Sequence, residues 1–141
     1  MFKNLKFQIA FITLIYLVFI IWFVSIGGHK NLIIFSFFIV TYFTGILSII
    51  REHKMKHIDK NDKIAIHHAK IKNHRNNSIE NLILLIIYSI ILYFLNIHDI
   101  FLSPYFMVVL TPGSQFIGHA VSYFMEKEEL QITLNKKKTT S

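Results

Sequence analysis

Eight histidines fall within 141 residues. Imidazole is the side chain suited to iron, copper, nickel or zinc, and the one that changes charge near neutral pH. Five of the eight, His53, His57, His67, His68 and His74, are crowded into one polar stretch, 51–79. His53 and His57 are four apart, which would put both rings on one face of a helix, as a metal-binding pair needs. His119 is different. It stands in GSQFIGHAVSYFMEKEE, inside an otherwise apolar segment. A polar ring there costs free energy unless it is partnered, so such a residue is a functional candidate. Asp59, Glu80 and Glu126 are the carboxylates that would complete an oxygen-tolerant iron site. Each reading has a structural alternative. The histidines of 51–79 would serve solubility and lipid contact beside the lysines. His119 would donate to a backbone carbonyl freed at Pro112 and clamp the helices together.

Other chemistry finds little support. There is no cysteine, which excludes disulfides, iron–sulfur clusters and thiol catalysis. No Ser-His-Asp arrangement is identifiable, and the five glycines are too scattered to form a phosphate loop.

The elements that must position these histidines are apolar runs. Hydrophobic residues make up 53% of the chain, and they are grouped. Uncharged or nearly uncharged stretches cover 7–28, 31–50, 80–97 and 103–125, with His119 the only ionisable side chain in the last apart from tyrosines. At about 1.5 Å rise per residue these runs approach or match a hydrocarbon core of about 30 Å. In lipid the backbone must satisfy its own hydrogen bonds, so each run is expected to be helical despite its Ile, Phe and Val. The sequence therefore predicts an all-α integral membrane protein of one domain, with four transmembrane helices as two hairpins.

The net charge of +7 does not point to nucleic acid, because the charge is distributed by topology. Lys3 and Lys6 precede the first run, eight basic residues lie between the second and third, and Lys127, Lys136, Lys137 and Lys138 follow the fourth. Lys30 alone falls in the opposite loops, with His29 and His98. The positive-inside rule then places both termini and the 51–79 loop in the cytoplasm. Six imidazoles would share that face. The first run is longer than a signal-peptide core and lacks an Ala-x-Ala cleavage site, so it reads as a retained anchor.

Local signals refine the elements. The polar loop contains no Pro or Gly, and would either continue the second helix or lie on the membrane as an amphipathic helix. Ser78 reads as the N-cap of the third helix, and Ser103-Pro104 as the start of the fourth. Pro112, in Thr-Pro-Gly, predicts a kink or unwinding. The tail, 131–141, ends in KKKTTS and reads as disordered.

Two stretches, HRNNSIENL (His74 to Leu82) and QFIGHAVSYFMEKEE (Gln115 to Glu129), carry a resemblance. Together they resemble the small membrane family of the yeast 2-hydroxy fatty acid dioxygenase and its bacterial members. That family has a His-Arg-Asn-Pro stretch before a transmembrane helix and a Gly-His pair late in a following one. The resemblance covers about 70–130. It implies Fe(II)-dependent oxygen chemistry on a 2-hydroxy fatty acyl chain that enters from the bilayer. His74, His119 and Glu126 would be the metal ligands, in a bacterial cytoplasmic membrane. The sequence departs from the family at Asn77, where proline is usual, near Ile83, where a second histidine is usual, and at Glu126, which lies seven rather than four positions after His119. His68 is a candidate substitute for the missing histidine. HRNNSIENLILL is also similar to the Asn-xx-Glu-Asn helix start of the membrane-associated eicosanoid and glutathione enzymes. The spacing of His53, His57, His67 and His68 is similar to the histidine boxes of membrane desaturases. The competing expectation is a non-catalytic membrane subunit or scaffold that pairs with itself or with another membrane protein. A third is a loop that senses metal or pH.

Overall fold

The computed structural model describes residues 4–97, 99 and 103–141, except for the side chain of His29. The expectations for His98, for Lys3 and for the turn around His98-Asp99 therefore lie largely outside the described residues. Four α-helices follow one another: α1, Leu5–Ser25; α2, Leu32–Met55; α3, Lys63–Phe94; and α4, Tyr105–Thr140. A short 3-10 turn, Gly28–Lys30, joins the first two. Among the described residues there is no strand. α1, α2 and α3 are each long and apolar enough to cross a membrane, which marks an integral membrane protein. α4 is not among them, because Thr-Pro-Gly-Ser-Gln and the following Gly-His dilute its apolar run.

The chain forms two units, 1–53 and 54–141. In the first, Asn4 caps α1 by accepting from the Lys6 amide at 3.0 Å. Gly27 turns the chain at φ 79°, a left-handed conformation that costs glycine nothing. At Gly28 an added Cβ would meet the Phe23 ring, which would have to turn aside. α1 and α2 run antiparallel. The Phe38 ring meets Phe19 and Phe23 edge-on, with centroids 4.9 and 5.2 Å apart. Thr13 donates to the Ile9 carbonyl, so in its 2.9 Å contact with Tyr42 it is the tyrosine hydroxyl that donates.

The second unit corrects the reading of the polar loop. α3 starts at Lys63, capped by Asp62, whose carboxylate accepts from the Ala65 amide at 3.0 Å. Most of 51–79 is thus helix, and the true turn is short, about 56–62. Ser78 is no N-cap; it is buried in the middle of α3. The physical reason is that 63–80 lacks any helix breaker. It also sets His67 and His74, seven residues apart, against Glu126 and His119 of α4, with Ser78 buried one turn beyond. α3 ends in a full Schellman motif. Asn96 takes φ 53°, and the Asn96 and Ile97 amides return to the Tyr93 and Leu92 carbonyls.

α4 gives two more corrections. It runs without interruption through Pro112, which is fully buried, so no unwinding occurs there. Nor is the tail disordered: α4 continues to Thr140. Glu128, Glu129 and the Lys136–Lys138 run are good helix formers, and Lys137 and Lys138 in the last turn complement the helix dipole.

Candidate functional site

α3 and α4 pack as an antiparallel pair, and its two polar cross-links fix the register. The His74 and His119 Nδ1 atoms are 3.2 Å apart. His67 Nδ1 lies 2.9 Å from Glu126 Oε2. The two links are seven residues apart on each helix, so they repeat one heptad along a common seam, roughly 10 Å apart. Toward the α3–α4 turn the seam becomes apolar, with Tyr88, Leu92, Val108 and Pro112 buried.

The seam brings His74 and His119 together as the sequence reading required. His119 is therefore partnered by an imidazole, not by a carbonyl freed at Pro112. A hydrogen bond between two Nδ1 atoms needs one protonated nitrogen and one lone pair. The same separation also suits metal. Two nitrogens about 2.1 Å from one ion, at roughly 90–110°, lie about 3.0–3.4 Å apart. The ring pair thus has the spacing of two adjacent ligands. One residue before His74, the Asn73 Oδ1 atom is buried without a hydrogen-bond partner. Such an orphan is costly, and a bound water would satisfy it. Asn77 and Ser78 are buried one turn further along α3.

Glu126 is not part of this pair. Its Oε2 faces His67 and its Oε1 lies 3.2 Å from Lys70 Nζ. Burial alone would push the Glu126 carboxyl up, but hydrogen bonds from His67 and Lys70, with their charge, hold it below its usual value. An ionised carboxylate only accepts, so His67 Nδ1 carries the proton of that contact. Glu129, one turn along α4, brings Oε2 to 4.0 Å of His67 Nδ1. Glu129 and Lys70 were not singled out in the sequence. The signal was the i,i+3 spacing of Glu126 and Glu129 and the heptad spacing of His67 and His74. Among the described residues, His67, Glu126 and Glu129 are the one group of three ligand side chains whose donor atoms lie within 4.8 Å of one another.

The other candidates are dispersed. α2 ends at Met55, so His57 falls in the following turn and the i,i+4 face with His53 is not formed. His68 is exposed, a hundred degrees around α3 from His67, and does not replace a missing ligand beside His74. Asp59 is used in the turn, where it accepts from the Asn61 amide at 3.0 Å. No protein family, curated protein or solved structure matches this chain.

Proposed function

We propose that the protein is a membrane-embedded metalloprotein in which His74 and His119 hold Fe(II), serving oxygen chemistry on a 2-hydroxy fatty acyl lipid. The 3.2 Å separation of their Nδ1 atoms carries the reading, because it matches two adjacent positions on one ion. The substrate class comes from the resemblance of HRNNSIENL and QFIGHAVSYFMEKEE to the dioxygenase family. Bound iron would supply the activation of molecular oxygen. The remaining roles fall to this chain's own side chains. His74 lies about two turns before Leu82, where the apolar part of α3 begins, so the pair sits at the cytoplasmic edge of the hydrocarbon. Ile83, Ile86, Ile87 and Ile90 are exposed along α3 and offer an acyl chain an apolar path up to that edge. Lys72 and Arg75, exposed beside His74, would neutralise the carboxyl group. In this reading both termini lie in the cytoplasm of a bacterial inner membrane, and α4 is a fourth span that would leave the hydrocarbon near Thr111, the residue the His74–His119 register sets opposite Leu82, rather than at 125.

A second reading rests on the same contact. At 3.2 Å the two rings also form an ordinary hydrogen bond, and among the described residues no third ligand joins them within 4.8 Å. The protein is then a non-catalytic membrane subunit clamped by that bond. Incubation of the iron-loaded, tag-free protein in bilayer nanodiscs with a 2-hydroxy fatty acid separates the two. Consumption of oxygen and substrate that is absent with the unsubstituted fatty acid, and absent in His74→Ala, is the expected result. No consumption by protein with bound iron rejects the oxygenase.

A further inference from the structure

We infer that His67, Glu126 and Glu129 form a separate divalent-cation site, most suited to Zn(II), that ties α3 to α4 one heptad beyond the His74–His119 pair. It does not rest on the oxygenase reading. Three observations carry it. The three side chains come from two helices, and their donor atoms lie within 4.8 Å of one another. His67 and Glu126 are only 15% exposed, so two of the ligands are held by packing. Glu129 is 59% exposed, yet brings Oε2 within 4.0 Å of the ring nitrogen; rotation of this exposed side chain would carry it in to ligand separation.

The charges agree. Glu126 and Glu129 carry two negative charges and Lys70 one positive, leaving one negative charge in excess to attract a cation. Lys70 contacts Glu126 through Oε1, which leaves Oε2 for the ion. One imidazole and two carboxylates with room for water make a borderline donor set that zinc accepts in open, water-bearing sites. By the usual order of affinities it would hold zinc more tightly than iron or manganese. Binding requires the Nδ1 proton of His67 to leave, so the hydrogen bond to Glu126 is exchanged for a shared ion.

The test is zinc binding by tag-free, full-length protein in detergent, measured by calorimetry and by zinc content after dialysis. The His74→Ala/His119→Ala variant is expected to retain one zinc per chain. Adding Glu129→Gln should weaken that binding at least tenfold. Glu129 is largely exposed, so this change removes no packing, and circular dichroism should show unchanged helix. In the wild-type background Glu129→Gln should likewise remove one tightly bound zinc. Retention of zinc with unchanged affinity after Glu129→Gln would assign the metal to exposed histidines such as His68 and overturn the site. So would absence of tight zinc binding in helical His74→Ala/His119→Ala protein.

Discussion

In the α1–α2 hairpin the helices meet through aromatic edges and one hydroxyl pair, Thr13 with Tyr42. In the α3–α4 hairpin they meet through histidines, carboxylates and a lysine at one end and through buried apolar side chains at the other. Lipid is as apolar as leucine and gives helices able to cross a membrane, as α1, α2 and α3 are, little reason to associate. The first hairpin answers with interlocking aromatic rings and one hydrogen bond, between Thr13 and Tyr42. The second extends beyond any bilayer: α3 has 32 residues and α4 has 36, about 48 and 54 Å at helical rise. The polar ladder stands on the part of α3 that precedes its uncharged run, 81–94. The histidine and carboxylate cross-links of α3 and α4 lie at one end of their hairpin.

The sharpest way to break this contrast is to remove apolar packing from the seam. Leu92 is fully buried, and Leu92→Ala should cost about 2–4 kcal/mol, read by unfolding in mixed micelles. Ile21, exposed on α1, should tolerate alanine with almost no change. Equal losses would mean that α1 is buried against something and that the anchor reading is wrong.

A smaller effect is expected at the polar end. Glu126→Gln should destabilise metal-free protein by about 1–2 kcal/mol, the cost of losing charge-assisted hydrogen bonds at a mostly buried site. The pH dependence has a definite sign. The folded carboxyl titrates below its ordinary value of 4.5, so its contribution is complete above that pH. It is lost as the pH falls through the lower folded value. Wild-type stability should therefore drop more on acidification than that of Glu126→Gln, compared by thermal unfolding at matched salt. Parallel curves would show that His67 and Lys70 do not stabilise the ionised form.

The smallest effect concerns the anchor's own polar contact. A double-mutant cycle of Thr13→Val and Tyr42→Phe should give a coupling of roughly 0.6 kcal/mol, the usual worth of a hydrogen bond between helices in a membrane. A coupling near zero would leave the aromatic edges as the whole of the α1–α2 contact.

The apolar runs were legible because a membrane helix announces itself by length and by the absence of charge. The start of α3 was not. Ser78 sits before an apolar run, as an N-cap would, and the preceding Asn, Lys and His residues carry no strong local preference. What makes 63–80 helical is its packing on α4, and local propensity does not report contacts made 45 to 59 residues away. His74 and His119 were found as separate candidates, and the family resemblance joined them. Pairing Glu126 with His67 instead required the helix register. That register was written in the heptad spacing of His67, His74 and Asn81 against Glu126, His119 and Pro112, but it becomes visible only when both helices are continuous. Pro112 misled for a related reason. Buried in the seam, it removes one hydrogen bond without ending the helix.

The central claim is that His74 and His119 hold one metal ion between them, and iron content tests it most directly. Tag-free wild type and Glu129→Gln would be loaded anaerobically with Fe(II), dialysed, and compared with His74→Ala and His119→Ala made in the Glu129→Gln background, which removes the neighbouring site, all at equal helicity. The account predicts near-stoichiometric iron in wild type and in Glu129→Gln, and its loss in both histidine variants. Wild-type protein without iron, or iron that persists in either histidine variant, would contradict it.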